Sequence, residues 1–489
     1  MVRSSPQKEA GAYYTPDVVA ECLLAWALRS DDDRLLDPSC GDGRFISGHK
    51  NSVGIEQDPV AAKAAVARAP WALVHEGDFF AWASNTLERF ECAVGNPPFI
   101  RYQSFSGPVR ARALEICGRV GAKFTGLASS WAPFLVAAAT RLQPGGRMAF
   151  VVPAEIGHAP YAVPLLEYLI AHFGLVHIVA VRSKLFPELS EDCWLLYADG
   201  FGRKTDELRF TSMSRFQRMK SPPRNFMRVP VVEWRTTWKR RLRPFLLDTE
   251  VREIYREVAS HGDTRRFGDL ANIGIGYVSG ANDFFHFRPS QARRLEIPGK
   301  LLYPTVRNGR ALPTRRLTAS TVAKWQRDDE QMMLLRIPKQ GSIPPQVARY
   351  LDSDAGHVAR TAYKCRVRDP WYSVPDVRVP DFFLSYMSGL DASLVRNDAA
   401  CTCTNSVHSV RLRDGIDATD LMQTWESAFT RLSCELEGHP LGGGMLKLEP
   451  REASEILLPA LAVVKKLKSA VICGALSTMR EWRHYAAAH

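Results

Sequence analysis

The sequence predicts an α/β fold: a doubly wound sheet of seven strands in the first half, followed by a second, irregular mixed α+β domain. Three observations support this prediction. Short apolar runs alternate with longer amphipathic ones over about the first 200 residues, the pattern becomes irregular beyond about residue 245, and a length of 489 residues favours two or three domains. The expected domains are 1–245, including a basic linker from about 201, and 246–489.

Seven apolar runs have the length and composition of strands. They lie at 34–37, 52–56, 72–75, 92–96, 147–153, 176–181 and 193–198. Helices are expected at 16–29, 59–69, 127–142 and 161–173. The first helix would begin with Thr15 as its N-cap and Pro16 at its first helical position. Seven strands with intervening helices are typical of a doubly wound sheet.

Composition and cysteine spacing exclude several classes of protein. The chain is 46% hydrophobic and 24% charged, which is ordinary for a globular protein. Its ten cysteines are scattered without the spacing of a zinc site, so we expect reduced thiols and no metal. The sequence shows neither a signal peptide nor an apolar run long enough to cross a bilayer. We therefore expect a cytoplasmic protein without a membrane partner.

Charge is distributed unevenly along the chain. Residues 1–200 hold 18 Lys and Arg against 21 Asp and Glu, a net charge of −3. Residues 201–489 hold 46 against 31, a net charge of +15, so the two parts sum to the +12 of the chain. A basic second half indicates a surface that binds a polyanion, although a solvated arginine-rich surface has the same composition.

A glycine-containing turn and two further acids follow the first three predicted strands. In "LLDPSCGDGRF" (35–45) the strand ends at Asp37, and glycines at 41 and 43 would let a ligand approach the backbone. Glu56 ends the second strand, where nucleotide-binding sheets place an acid for the ribose hydroxyls. Asp78 follows the third strand and suits an adenine amino group, with Phe79 beside the ring. Three acids at successive strand ends predict a nucleoside cofactor.

The fourth strand ends in "VGNPPFIRY" (94–102). Two consecutive prolines end a strand and supply no backbone donors, so they indicate a segment whose backbone shape must be fixed. Pro97 holds Asn96 extended, and Pro98 does the same for Pro97.

In this order the motifs resemble those of the gamma-class adenine-N6 DNA methyltransferases, S-adenosylmethionine enzymes of bacterial modification systems. The resemblance covers "GAYYTP" (11–16), "DPSCGDGRF" (37–45), "GIEQDP" (54–59), "GDFF" (77–80) and "GNPPF" (95–99). It implies a seven-stranded methyltransferase sheet, a DNA-recognition second domain, duplex DNA as partner and a nucleoid-associated place in the bacterial cytoplasm.

The resemblance also implies roles for single residues. The implied cofactor contacts are Thr15, Asp37, Pro38, Ser39, Cys40, Gly41, Glu56, Asp78, Phe79 and Pro98. The implied catalytic residues are Asn96, Pro97 and Phe99. The family usually has tyrosine at the last of these positions, and phenylalanine keeps the face on which a base stacks. A second stacking residue is placed at Phe186 in "SKLFPELSEDCWLLYA" (183–198), although this side chain could equally belong to the core.

The proline-fixed segment suits methylation of an amino group. The adenine amino nitrogen is a poor nucleophile because its lone pair is delocalised into the ring. The side-chain carbonyl of Asn96 and the main-chain carbonyl of Pro97 could each accept one amino hydrogen, and those bonds strengthen as positive charge develops on the nitrogen. Phe99 offers a face to a base rotated out of the duplex.

Related "NPP" motifs occur in protein-glutamine N5-methyltransferases and ribosomal-RNA guanine-N2 methyltransferases, which remain alternatives. The basic second half favours DNA, because "ANIGIGYVSGANDFFHF" (271–287), "YPTVRNGR" (303–310) and "RDPWYSVPD" (368–376) resemble target-recognition segments. None of the sixteen lysines has an acid two residues before it, as a common nuclease site requires. A restriction endonuclease or other defence partner would therefore be a separate chain.

Overall fold

The computed structural model describes residues 15–189, 191–441 and 443–485. Residues 11–14 of the "GAYYTP" motif lie outside the described residues. The chain divides into two compact units, Met1–Thr249 and Glu250–His489. Each unit is described by itself below.

A mixed sheet forms the centre of the first unit. Its strands are β1 (Leu35–Asp37), β2 (Ser52–Glu56), β3 (Leu73–Glu76), β4 (Phe90–Gly95), β5 (Leu142–Pro153), β6 (Phe173–Val181), β7 (Cys193–Phe201), β8 (Glu207–Met213) and β9 (Met227–Pro230). Their order in space is β3-β2-β1-β4-β5-β7-β6-β8-β9. Strand β7 runs antiparallel to β5 and β6, and β9 runs antiparallel to β8, whereas the other neighbours are parallel. The α/β sheet is confirmed, but over the described residues it has nine strands rather than seven.

The two additional strands lie in the segment expected to be a linker, so that expectation was wrong. Leu208, Phe210 and Val229 are buried where β8 pairs with β6 and β9. Several basic side chains of the segment form ion pairs with acids of the same unit: Arg218 with Glu21, Arg228 with Glu207, and Arg235 with Glu167. The positive charge that indicated an open linker is partly neutralised at the surface of the sheet.

Helices cover the faces of this sheet. They are α1 (Asp17–Ala27), α2 (Pro59–Arg68), α3 (Phe79–Asn85), α4 (Gly107–Arg119), α5 (Trp131–Ala139), α6 (Val163–His172) and α7 (Val231–Thr236). Short 3-10 turns span Ile46–Gly48, Ala154–Gly157, Pro160–Ala162 and Arg243–Leu246. The N-cap of α1 is Pro16 rather than Thr15, because the amides of Val19 and Ala20 bond to the carbonyl of Pro16. All nine residues of α5 are buried.

The strand order places a topological switch point between β1 and β4. From β1 the chain moves outward through β2 to β3, then returns to place β4 on the other side of β1. In parallel sheets the crevice beyond the carboxyl ends of such strands is where ligands bind. Asp37 ends β1 and Gly95 ends β4, so the glycine turn after β1 and the "NPPF" segment after β4 meet at this crevice.

The second unit is built from four small sheets and short helices in its described residues. The sheets are β11-β20-β16-β18-β14, β12-β15-β13-β19, β17-β22-β21 and β10-β23. The strands are β10 (Thr264–Arg266), β11 (Ala271–Ile275), β12 (His286–Phe287), β13 (Leu302–Val306), β14 (Arg316–Leu317), β15 (Met333–Leu335), β16 (Phe382–Ser385), β17 (Met387–Ser388), β18 (Leu394–Asn397), β19 (Thr402–Cys403), β20 (Val407–Leu412), β21 (His439–Leu441), β22 (Met445–Lys447) and β23 (Leu457–Pro459).

Most helices of this unit are short, with 4 to 10 residues. The first, which begins at the unit boundary, has 12 residues and the last has 14. They are α8 (Thr249–Ser260), α9 (Phe267–Leu270), α10 (Asn282–Phe285), α11 (Pro289–Arg294), α12 (Ala319–Arg327), α13 (Pro345–Leu351), α14 (Asp354–Thr361), α15 (Tyr363–Arg366), α16 (Ala418–Trp425), α17 (Ala428–Glu437), α18 (Pro450–Glu455), α19 (Leu461–Val464) and α20 (Ser469–Trp482). Turns of 3-10 type span Gly299–Leu301 and Gly309–Ala311.

Two absences can be stated for the described residues. No helix among them has the length and apolar character needed to span a bilayer. They also contain no group of three or more His, Cys, Asp or Glu side chains arranged to hold a metal ion.

A buried ion pair secures the end of the second unit. Arg483 and Glu435 are 1% and 2% exposed, and the Arg483 guanidinium donates to both carboxylate oxygens at 2.8–3.1 Å. Its remaining N–H groups donate to the carbonyls of Leu390 and Gly444. Removing one partner of such a pair leaves the other charge buried without compensation.

We predict that Arg483→Ala lowers the free energy of unfolding by about 3–5 kcal/mol. The control is Arg119→Ala, which removes a largely exposed i,i+4 pair with Glu115 and should cost less than about 1 kcal/mol. Denaturant titration followed by circular dichroism measures both. Equal destabilisation by the two variants would contradict this assignment.

Candidate active site

A chain of hydrogen bonds joins the ends of β1 and β4. Asp37 is fully buried, and its Oδ1 accepts the backbone N–H of Ser39 at 3.1 Å. The Ser39 hydroxyl donates to the main-chain carbonyl of Asn96 at 3.2 Å. The turn after β1 therefore fixes the position of the "NPPF" segment where it leaves β4.

Gly95 is required by close packing at this junction. A Cβ atom there would lie 2.9 Å from Asp37 Oδ1 and 3.2 Å from Cε1 of Phe150, within van der Waals radii. The absent side chain lets the two strand ends approach. The sequence shows this glycine in "VGNPPF", but the pattern of apolar residues does not indicate why glycine is needed there.

Glu56 holds the turn that follows β1. One carboxylate oxygen accepts the backbone N–H of Gly41 at 2.8 Å, and the other accepts that of Asp58 at 2.8 Å. Gly41 has φ of +54°, which a residue with a side chain rarely adopts. A carboxylate has about four acceptor positions, so Glu56 can still accept hydroxyl groups from a ligand. Pro38 and Cys40, on the same turn, are buried.

Asp78 already has a structural role in α3. It is the N-cap of that helix, with Oδ1 accepting the N–H of Ala81 at 2.8 Å, and it pairs with Arg112 at 3.2 Å. Phe79 is 4% exposed and packs against Phe134 with ring centroids 4.7 Å apart. The structure thus places Phe79 in the core, whereas the sequence motif suggested a ring beside a ligand.

Ser130 fixes the segment after Asn96 and was missed from the sequence. Its hydroxyl donates to the carbonyl of Pro98 and accepts the N–H of Ile100 at 3.0 Å, and its own N–H donates to the carbonyl of Ile100 at 3.0 Å. Ser130 is 2% exposed and immediately precedes α5. A serine before an apolar helix is a weak signal, and nothing in the sequence ties it to a segment thirty residues earlier.

The two expected stacking residues differ in exposure. Phe99 is half-buried and packs against a hydrophobic cluster that contains Phe186, Leu185 and Leu189. Phe186 is 6% exposed and belongs to the core of that cluster. Phe99 is therefore the more exposed of the two.

Arg44 connects Thr15, which lies just before α1, to the turn that follows β1. The Arg44 guanidinium donates to the carbonyl of Thr15 at 2.8 Å and pairs with Asp42 at 3.4 Å. Thr15 is buried at 3% exposure. These contacts bring the start of α1 and the turn after β1 together.

The three recognition-like segments meet within the second unit. Tyr277 bonds His286 at 2.7 Å and Thr305 at 2.8 Å, which links 271–287 to 303–310. Arg368 donates to the carbonyls of Val278 and Ser279 at 2.5 and 2.6 Å, which links 368–376 to the first segment. Sequence reasoning named the segments but could not place them together.

The protonation of His286 follows from this network. Its Nδ1 lies 2.8 Å from the carbonyl of Asn282, which can only accept, so Nδ1 carries the proton and Nε2 accepts from the Tyr277 hydroxyl. Burial lowers the pKa of His286 to about 4, which keeps the ring neutral at physiological pH. The network is thus a scaffold rather than a titrating site.

The buried Asp37 carboxyl is the most perturbed acid at the strand ends. Burial raises its pKa to about 8, and the nearby acids Glu56 and Asp42 add to the rise, while the Ser39 N–H opposes it. Its Oδ2 is buried and has no hydrogen-bond partner in the described part of the chain. An orphaned buried oxygen of this kind indicates that a donor from outside the chain belongs there.

We predict that Asp37→Asn changes the pH dependence of stability. Between about pH 4 and pH 8 the folded state keeps a proton that the unfolded carboxyl has lost, so the stabilisation is complete at low pH and lost as pH rises through the folded pKa. The slope approaches about 1.4 kcal/mol per pH unit. The variant should therefore gain stability relative to wild type as pH rises.

Denaturant titrations of ligand-free protein at several pH values measure this difference, with the exposed Asp31→Asn as control. A difference between Asp37→Asn and wild type that stays constant with pH would show that the carboxyl is not held protonated.

Comparisons with known proteins find type II methyltransferases. A family model described as type II methyltransferase M.Eco57I, C-terminal domain, matches residues 239–484. Type II methyltransferase M.AccI of Acinetobacter calcoaceticus is 19% identical over 98% of this chain and 90% of its own length. Type II methyltransferase M.XamI of Xanthomonas campestris pv. amaranthicola is 22% identical over 92% and 85%.

Among solved structures, the type IIG restriction endonuclease BpuSI is similar with a TM-score of 0.43 and 15% identity, over 95% of this chain and 59% of that one. The family model covers just over half of the 489 residues. The chain therefore belongs to the type II methyltransferase family represented by the C-terminal domain of M.Eco57I.

Proposed function

We propose that the protein is a sequence-specific DNA methyltransferase that transfers a methyl group from S-adenosylmethionine to the N6 amino group of adenine in duplex DNA, by base flipping. The observation that carries the proposal is the "NPPF" segment at the switch point, held from one side by Ser39 and from the other by Ser130. The relatives named type II methyltransferases support methyl transfer as the reaction.

The residues at the strand ends fit the cofactor. Oδ2 of Asp37 has no hydrogen-bond partner among the described residues and could accept a hydrogen bond from the cofactor. Gly95 adds no side chain at the end of β4, where the two strand ends approach closely. Asp37 and the turn 38–41 would hold the cofactor, with Glu56 for ribose hydroxyls and Asp78 for an adenine amino group. When bound, S-adenosylmethionine supplies an electrophilic methyl group on a sulfonium centre.

Asn96 and Pro97 act on the target amine. The side-chain carbonyl of Asn96 and the main-chain carbonyl of Pro97 each accept one amino hydrogen, which localises the nitrogen lone pair toward the methyl group. Both hydrogen bonds strengthen as the nitrogen becomes positive, so they stabilise the transition state more than the bound substrate. Prolines and the Ser130 contacts keep the acceptors in place before the base arrives, so little reorganisation is needed during the reaction.

Phe99 receives the rotated base. A base inside a duplex does not expose its amino group to an enzyme, so the nucleotide must leave the stack. The half-buried Phe99 ring is adjacent to Pro98 and replaces part of the lost stacking. Phe186, in the cluster against which Phe99 packs, would be the second stacking residue.

We predict that Asn96→Ala lowers the rate of methyl transfer by roughly 10²-fold or more, because the variant loses a hydrogen bond made to the reacting nitrogen. Cofactor affinity should stay within a few fold. Single-turnover transfer of labelled methyl groups to duplex DNA measures the rate, and calorimetry measures the affinity. The control is Asn51→Ala, which removes the side chain of an exposed asparagine that donates to the carbonyl of Asp32 at 3.0 Å, remote from the "NPPF" segment.

Near-normal turnover by Asn96→Ala would exclude the proposed role. Label recovered on protein glutamine or on guanine in structured RNA, with none on adenine of duplex DNA, would favour the two alternative methyltransferase classes instead.

Ser130→Ala should lower kcat by roughly tenfold while leaving the cofactor Kd unchanged, because the lost hydroxyl positions the loop and touches neither reactant. The control is Ser52→Ala, since Ser52 is a 4% exposed serine whose hydroxyl bonds the carbonyl of His49 at 2.7 Å. Both variants should lose similar stability. A kcat loss shared by both variants would indicate general destabilisation rather than loop positioning.

A further inference from the structure

The second unit contains a groove above one end of its five-stranded sheet. Strands β11 and β20 pair antiparallel, with Asn272 opposite Arg411 and Gly274 opposite Ser409. Residues opposite each other point to the same face, so these four positions form one surface. The groove is lined by this surface, by neighbouring residues of 273–278, by Cys403 and by six residues within 364–378.

The groove is open and carries both polar and apolar side chains, since Ile275 and Val367, which are 56% and 60% exposed, also line it. Asn272 and Arg411 are exposed and lie side by side. At Gly274 an added Cβ would meet nothing within 4 Å, so the space directly above this position is open among the described residues. The opposite face of the strand pair carries Ala271 and Val410, which are buried in a hydrophobic cluster. The polar face is therefore available while the apolar face holds the sheet in place.

The walls of the groove are cationic. Lys364 and Arg378 are exposed and line it together with Arg411. Within the described residues none of these three side chains forms an ion pair, in contrast to the paired arginines of β8 and β9. Arg368 is engaged by backbone carbonyls, and Asp376 is the acid among the lining residues that the structure describes. Three exposed cations without an ion-pair partner among the described residues, around an open groove with one acid, favour a polyanionic partner.

We propose that this groove holds an edge of the DNA duplex, with Asn272 and Arg411 reading bases and with Lys364 and Arg378 contacting phosphates. The inference rests on the proposed function and assigns sequence discrimination to named residues. An arginine can donate two hydrogen bonds to guanine, and an asparagine can pair with adenine in the same way. The two lie directly opposite each other on paired strands, so both side chains can reach neighbouring base edges.

To test this proposal, wild type and variants are expressed in a host without adenine methylation of its own. Sequencing that detects N6-methyladenine then gives the DNA sequence motif that each protein methylates. Arg411→Ala and Asn272→Ala should each relax the motif at one base position and reduce methylation of the original site by roughly 10- to 100-fold. Arg411→Lys keeps the charge but not the paired donors, so it should relax the same position while retaining non-specific affinity.

Lys364→Ala and Arg378→Ala should leave the motif unchanged. In binding assays with purified full-length protein and duplex DNA, each should reduce the log-log salt slope by about one. The control is Arg327→Ala, an exposed arginine of α12 that does not line the groove and should change neither measurement. Thermal unfolding confirms that each variant is folded.

An unchanged motif and rate in Arg411→Ala, Arg411→Lys and Asn272→Ala, with wild type active, would overturn the groove assignment alone. Wild-type cells without methylated adenine would overturn the proposed function and this inference with it. Tighter binding of structured RNA than of duplex DNA at equal ionic strength would replace DNA by RNA as the partner.

Discussion

The short link from Asp37 through Ser39 to Asn96 is the constraint on which the site depends. It requires β1 and β4 to be neighbours, a glycine at position 95 and a turn held by Glu56. The doubly wound order supplies the first condition, because it brings together two strands separated by about fifty residues of sequence. The fold thus determines which motifs can share one crevice.

The same link carries an energetic cost, because one oxygen of the buried Asp37 carboxyl has no hydrogen-bond partner among the described residues. Burying Asp37 with one unpartnered oxygen opposes its ionisation, and the neighbouring acids increase that effect. A cationic or donor group beside the carboxyl would reverse the balance and favour the charged form. Perturbed acids of this kind are frequent in functional sites, which is why Asp37 is informative beyond its motif.

Sequence alone predicted much of the first unit and little of the second. The first seven strands were predicted because each contains an apolar run; six of them lie inside the sheet and β3 lies at its edge. Strands β8 and β9 were missed because Leu208 and Phe210 alternate with polar and basic residues, as at a sheet edge. In the second unit strands of two to six residues are too short to show a period.

The candidate site divides in the same way. Asp37 and Glu56 end strands and Asn96 follows one, so their motifs predicted their positions. Ser130 acts through bonds to distant backbone, and Phe79 is surrounded by aromatic rings from other elements; neither environment is encoded in local spacing. Charge was informative only after pairing was known, since several of the arginines near β8 and β9 are neutralised.

The central claim is methyl transfer to adenine of duplex DNA, and the identity of the methylated nucleoside tests it most directly. Purified protein would be incubated with labelled S-adenosylmethionine and unmethylated duplex DNA, and the digested nucleosides would be separated by mass spectrometry. We expect the label in N6-methyldeoxyadenosine. Label in a methylated cytosine, or no label in DNA while RNA or protein is methylated under the same conditions, would contradict this account.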